Sequence, residues 1–512
     1  MKKVENQYVP LHHFEIFCYI VIWASGIFYA AYNLLDVSSS LKNSEVPDLV
    51  PGWSWLGRRK DTCPEWRIWT TFLIYSLGPW VILHSSVLLI IQHYFFKIST
   101  FRDIWFITVT SLCTAYNFGL LSVLIFFGLT LIYYCLLLFG NQISIWITSI
   151  FLLGVWSYND SLFTIIDTSS DGEIAYLLLL TLYWHQLRCI SFSLGSLDKA
   201  KSKTLPNCLH FLAYTFYLPC FFFGPIIIYK KINDANTNTA TKSLFQRLSK
   251  LIINLIRYFF WMFFVEFILH YVYINMFLQN IKVFKHFGIS ALGGFGFGMG
   301  QFFFIKYTFI YGTVITVAKF DEYFEPPKPP KCISRIYLYS DMWRSFDRGL
   351  YNFLKEYIYR PSGYHSENVS LVTKLTRSFM CFAFIFIWHG LSWEVFLWTL
   401  FNFIGITLET LARYNLSDPN ERRFLAFITS PLTLLSAISN FFFFGGIDAG
   451  LNTWIENFLY FVFYGHFMNY RIIIPYSSPS NIQTNYHQVS IFFAIRYLLS
   501  HFKAISHPYL LE

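Results

Sequence analysis

From Ile104 to Asn159 the chain contains no Asp, Glu, Lys or Arg. A helix that crosses a bilayer needs about 20 mostly apolar residues, so this stretch alone has room for two or three crossings. Charged residues make up only 13% of the chain and hydrophobic residues 55%, whereas soluble domains carry about a quarter charged residues. Most of the exterior must therefore face lipid. Soluble multidomain classes are excluded.

Further apolar runs cover Phe14–Leu34, Trp69–Phe96, Ile174–Leu194, Leu205–Tyr229, Tyr258–Leu278, Phe287–Ile305 and Tyr307–Val317. Ser378–Leu408, Phe424–Phe444, Phe458–Tyr470 and Val489–Phe502 follow. Several are too short to cross unaided and read as re-entrant or half-spans. The expectation is an all-α polytopic membrane protein of about ten crossings, with residues 1–512 forming one membrane-embedded domain. Polar stretches interrupt it at 35–67, 231–250 and 318–377. Lys2 and Lys3 before the first run, with Lys97 and Arg102 after the second, put those ends in the cytoplasm and residues 35–67 in the lumen. Arg58, Arg59 and Lys60 in that loop argue the other way. The nine cysteines contain no CxxC pair, so no disulfide or zinc framework is expected.

Residues 318–377 open on Glu-Pro-Pro-Lys-Pro-Pro-Lys at 325–331, where paired prolines force an extended path. Met342, Phe346, Leu350, Phe353 and Tyr357 then recur every three or four residues. That spacing predicts one amphipathic helix at the membrane face, closed by Pro361. It leads to the charge-free run Ser378–Trp393, which contains His389. An imidazole in an apolar span must be hydrogen-bonded or functional, and a low dielectric favours its neutral, proton-accepting form. Trp388 and Trp393 would shape a pocket there, and Gly390 permits close approach. The alternative is a structural histidine bridging two helices. Asp347 has two readings as well: an ion pair with Arg344 or Arg348, or a carboxylate lining a reaction chamber with His389. Gly-Gly-Phe-Gly-Phe-Gly-Met-Gly at 293–300 lacks nucleotide-loop spacing and reads as small-residue helix packing.

Met-Trp-Arg-Ser-Phe-Asp-Arg-Gly-Leu-Tyr-Asn-Phe-Leu (342–354), Tyr-Ile-Tyr-Arg-Pro (357–361) and Trp-His-Gly (388–390) together resemble the membrane-bound O-acyltransferase superfamily, and within it the Hedgehog acyltransferase branch. Other stretches agree in order: Lys-Asp-x-x-x-Glu-Trp at 60–66, Tyr-x-Pro-x-x-x-x-Gly-Pro at 217–225, Pro-Pro-Lys-Cys at 329–332, Asn-Phe-Ile-Gly-Ile-Thr-Leu-Glu at 402–409, and Ser-Asn-x-x-Phe-x-Gly-Gly at 439–446. The resemblance implies a bundle with re-entrant and interfacial helices around a central chamber. It implies palmitoyl transfer from palmitoyl-CoA to the N-terminal cysteine amine of a secreted Hedgehog-type protein, giving an amide, in the endoplasmic reticulum membrane or the Golgi. Rival acceptors within the superfamily are a Wnt- or ghrelin-type serine and a lipid alcohol. A transporter or an inactive scaffold is the non-enzyme rival.

By the same resemblance His389 and Asp347 are the catalytic pair; Trp343, Arg344, Arg348, Trp388 and Asn440 are the candidate substrate-binding residues. Either His389 or Asp347 could accept the amine proton. A covalent route through Ser392, read as sharing the histidine's helix face, is the lesser alternative. Arg344, Arg348 and Lys355 suit CoA phosphates or lipid headgroups. Cys332 read alone suits juxtamembrane palmitoylation; the resemblance implies that it ligates the iron of a haem b. Membrane lipids are the remaining partners, and no nucleic acid is expected.

Overall fold

The charge-free stretch resolves into three consecutive helices in the computed structural model, and helices account for most of the other described residues. The structure describes residues 13–40, 49–95, 99–158, 172–199, 207–231, 243–280, 289–332, 339–360, 369–415, 435 and 438–451. Lys2, Lys3, Lys97, the polar run 233–239, Pro361 and the apolar runs Phe458–Tyr470 and Val489–Phe502 lie outside them, as does most of 424–437.

In chain order the helices are α1 (His13–Ser40), α2 (Pro64–Thr71), α3 (Gly78–Tyr94), α4 (Ser99–Phe118), α5 (Leu120–Leu138) and α6 (Gln142–Tyr158). Then come α7 (Gly172–Lys199), α8 (Cys208–Thr215), α9 (Leu218–Phe221), α10 (Leu244–Ile268), α11 (Ile274–Gln279) and α12 (Ile289–Asp321). The chain continues through α13 (Tyr339–Phe346), α14 (Arg348–Leu354), α15 (Leu371–Trp388), α16 (Trp393–Asn415) and α17 (Ile438–Leu451). A π-helical turn at Phe72–Leu77 joins α2 and α3 into one rod. Six described helices are long and apolar enough to cross a membrane: Pro64–Tyr94, Leu120–Leu138, Leu244–Ile268, Ala291–Asp321, Leu371–Trp388 and Trp393–Ala412.

Helix α10 shows how lipid replaces water as the outer solvent. Ile252, Ile253, Ile256, Phe260, Phe263 and Phe267 are exposed on it, while Tyr258, Met262 and Val265 are buried. An exposed apolar stripe of that extent suits hydrocarbon and no aqueous surface. Inside, aromatic rings fill the bundle; Phe192 and Phe211 stack at 4.1 Å. Helix α12 runs through the middle, and the glycines of 293–300 bring it against its neighbours. A Cβ on Gly294 would strike the backbone of Ala30, and one on Gly298 the side chain of Leu34. The small-residue reading of that motif holds.

Of the stretch 35–67, residues 49–63 are held by a short hairpin and buried polar contacts. Strands β1 (Val50–Pro51) and β2 (Arg59–Lys60) form a short antiparallel hairpin. Asp61, fully buried, accepts hydrogen bonds from the backbone of Asn275 at 2.8 Å and Met276 at 3.1 Å. Lys60 pairs with Glu266, which also accepts the indole N–H of Trp66 at 2.7 Å. Glu65 pairs with Lys306, a buried cation on α12. That lysine divides two sequence runs, Phe287–Ile305 and Tyr307–Val317, yet α12 continues through it because its charge is paired and ringed by Trp69, Phe303 and Tyr307.

Candidate active site

The amphipathic pattern at 342–357 folds as two helices. Asp347 has extended backbone, φ −115° and ψ 94°, and ends α13. One of its carboxylate oxygens accepts the backbone N–H of Leu350 at 2.9 Å and so caps α14. An N-cap residue must leave helical geometry to do this, which is why an unbroken helix does not form. Gly349 then passes so close to the backbone of Ile226 that a Cβ has no room. The second carboxylate oxygen accepts the hydroxyl of Tyr311, on α12, at 3.0 Å. Burial raises the Asp347 carboxyl above the usual range, with the Leu350 N–H and the Tyr311 hydroxyl opposing it. The ion-pair reading of Asp347 is corrected: Arg344 is exposed and pairs with Asp341 at 3.2 Å.

His389 likewise stands at a break. It is the C-cap of α15, and its backbone N–H bonds the carbonyl of Ile385 at 3.0 Å. Gly390 and Leu391 follow at φ +106° and +56°, conformations that stop a helix. Ser392 lies beyond this turn, its hydroxyl accepting the Val395 N–H at 3.4 Å at the start of α16. It therefore does not share a helix face with His389, and the apolar stretch Ser378–Leu408, read from sequence as spans, divides at this turn between two helices. The imidazole is half-buried among rings, 4.7 Å from Trp388, 5.3 Å from Trp398 and 5.5 Å from Phe443.

No hydrogen bond joins His389 to Asp347 among the described residues. Two chains of rings connect their surroundings. Trp388 packs on Trp184 at 5.4 Å, and Trp184 on Tyr311, the partner of Asp347, at 6.3 Å. Trp398 packs on Trp343 at 5.4 Å, four residues before Asp347. Both candidates are half-buried beside these rings, His389 against Trp388, Trp398 and Phe443 and Asp347 against Tyr311. The Trp388 indole N–H is buried and has no hydrogen-bond partner among the described residues.

The other sequence candidates sit further out. Asn440 is half-buried on α17, whose Phe443 touches His389. Arg348 is half-buried, its Nε has no hydrogen-bond partner among the described residues, and desolvation lowers its guanidinium below the usual range. Lys355 begins a π-helical turn that carries Glu356, the partner of Lys230. Cys332 is half-buried, its sulfur 3.9 Å from the Gln301 amide oxygen. The preceding Lys331 N–H is tied to the Ser345 carbonyl at 3.1 Å. Tyr311, Trp184, Trp398 and Asn402 were not foreseen as parts of the site. Tyr311, Trp184 and Trp398 lie in apolar runs where nothing local marks them, whereas Asn402 opens one of the stretches that carried the resemblance.

The membrane-bound O-acyltransferase family, MBOAT, matches residues 135–437. Over 459 residues the chain is 27% identical to the protein-cysteine N-palmitoyltransferase Rasp of Drosophila melanogaster, covering 85% of this chain and 88% of that protein. It is 31% identical over 261 residues to the protein-cysteine N-palmitoyltransferase HHAT of Mus musculus, covering 48% of this chain and 52% of that protein. The protein-cysteine N-palmitoyltransferase HHAT-like protein of Mus musculus is 24% identical over 422 residues, 77% of each chain.

Proposed function

Because the chain belongs to the membrane-bound O-acyltransferase family and is an acyltransferase, we propose that it moves palmitate from palmitoyl-CoA to the N-terminal cysteine amine of a secreted Hedgehog-type protein. The observation that carries the reading is a half-buried histidine and a half-buried carboxylate, each set at a helix break beside linked aromatic rings. The names of two relatives, protein-cysteine N-palmitoyltransferases, support the acyl group and the acceptor.

The chemistry balances on these residues. The acceptor arrives as an ammonium, which is not a nucleophile. Asp347 attracts and orients it, and neutral His389 or Asp347 takes one proton. The freed amine attacks the thioester carbonyl, the C–N bond forms, and the C–S bond breaks. The CoA thiolate leaves and takes the second proton released from the nitrogen. Trp343, Trp388 and Asn440 shape the site, and Arg344 and Arg348 meet the phosphates of the donor. Positioning and desolvation supply the remainder of the acceleration. The protein works in the endoplasmic reticulum or Golgi membrane, where donor and secreted acceptor meet from opposite faces, with 35–67 on the luminal side.

Cys332 has the chemistry of a haem ligand: a free, half-buried thiol whose sulfur lies 3.9 Å from the Gln301 amide oxygen. Cys332 would hold the group through its thiolate, a ligand type that haem iron accepts, and takes no part in the transfer step. A Soret band lost in Cys332→Ala is the expected result; no band in the purified wild type refutes the ligation.

The test of the main reading is reconstitution with labelled palmitoyl-CoA and a panel of N-terminal Cys-Gly, serine and lipid-alcohol acceptors. Amide formation on the Cys-Gly peptide, lost in His389→Ala, is expected. Transfer to serine or alcohol alone assigns a different acceptor, and undiminished amide in His389→Ala removes the histidine from the chemistry.

A further inference from the structure

Apart from Asn440, residues 402–409 and 439–446 take no part in the chemistry above, yet the structure ties the first stretch to the segment that carries Asp347 and, through Ser439, the second to the first. Helix α16 meets α13 at three successive points. Glu409 accepts from the backbone N–H of Ser340 at 3.0 Å and from its hydroxyl at 2.6 Å. Gly405 lies so close to the ring of Tyr339 that a Cβ would strike it. Asn402, fully buried, accepts the indole N–H of Trp343 at 3.2 Å.

The amide nitrogen of Asn402 donates to the Trp398 carbonyl at 2.8 Å and to the Ser439 hydroxyl at 3.2 Å. Its orientation has no alternative. An indole N–H only donates and a carbonyl only accepts, so the amide oxygen must face Trp343 and the nitrogen Trp398. A buried amide with both ends committed holds a fixed rotamer, and removing it would orphan the indole N–H.

His389 and Asp347 lie on separate elements and share no hydrogen bond among the described residues, so a common frame must set their separation. Helix α16 touches both sides. Its Trp398 stands edge-on to His389 at 5.3 Å, and one turn on, Asn402 grips Trp343, four residues before Asp347. We propose that Asn402 is a positioning residue: through the Trp343 indole it sets where Asp347 stands relative to His389. This rests on the acyl-transfer reading of that pair.

The test is a double-mutant cycle in the full chain: Asn402→Leu, Trp343→Phe and the double variant. Each is assayed for kcat, for KM of palmitoyl-CoA and of the Cys-Gly peptide, and for thermal midpoint. Asn402→Leu should lower kcat about tenfold with little change in either KM. The same change in the Trp343→Phe background should have almost no further effect on kcat, because phenylalanine has no N–H to orphan. A purely structural asparagine would cost the same factor in both backgrounds, and that additive result overturns the proposal, as does an effect confined to KM. Should Asn402→Leu fail to fold, Asn402→Ser is carried through the same cycle with the same two outcomes. A wild type inactive on every acceptor removes the underlying reading; an active wild type with an additive cycle removes the role of Asn402 alone.

Discussion

Replacing Asp347 separates its structural and chemical tasks, because its two oxygens do different work. One caps α14 through the Leu350 N–H at 2.9 Å, and the other receives the Tyr311 hydroxyl at 3.0 Å. Asparagine caps a helix about as well as aspartate, so Asp347→Asn should keep stability within about 0.5 kcal/mol. Its amide nitrogen then faces Tyr311, whose hydroxyl can turn to accept. Alanine loses the cap, about 1 kcal/mol, and orphans a buried hydroxyl, about 1–3 kcal/mol more. Asp347→Ala should therefore be about 2–4 kcal/mol less stable. On the proposed acyl-transfer reading both variants lose the charge that orients the acceptor, so both should lose about 100-fold or more in kcat. The assays are thermal unfolding in detergent and transfer of labelled palmitate at saturating donor. An asparagine variant that melts as low as alanine refutes the capping account, and one that keeps near wild-type turnover refutes the role of the charge.

Gly349→Ala should cost about 1–3 kcal/mol, since its Cβ meets the Ile226 backbone and cannot be accommodated by a rotamer change; a thermal midpoint equal to wild type would show that 225–227 yields. Glu65→Gln strands the buried Lys306 charge and should destabilise by about 2–3 kcal/mol, discounted from a fully buried pair because Glu65 is half exposed. The double change Glu65→Gln/Lys306→Met should recover most of that loss in the same melting assay, and a double variant worse than the single one would contradict the ion-pair account.

The membrane class was legible because hydrocarbon solvation acts on each segment separately, and a charge-free run declares itself without reference to any partner. The glycines at 293–300 were legible for a similar reason: small residues one turn apart have few uses in a span except close packing. His389 stood out as a polar group in an apolar run. Its position at the end of a helix did not, because Gly390 and Leu391 adopt left-handed backbone within a turn whose residues look like more span. Asp347 misled more sharply. Apolar spacing continued through it, and the helix breaks there because its carboxylate prefers to cap the next helix while Tyr311 holds the other oxygen from 36 positions away.

By itself the sequence determined that this chain lives in a bilayer, that it is helical, and that His389 is a polar group set in an apolar run. Those properties follow from local composition and periodicity. Only the tertiary structure decided that His389 and Asp347 stand at helix breaks beside linked aromatic rings, and that Tyr311, Trp184, Trp398 and Asn402 pack or hydrogen-bond among the elements around them. These contacts join elements far apart in the chain, and a ring or an amide that packs across such distances carries no mark of its partner in its neighbours.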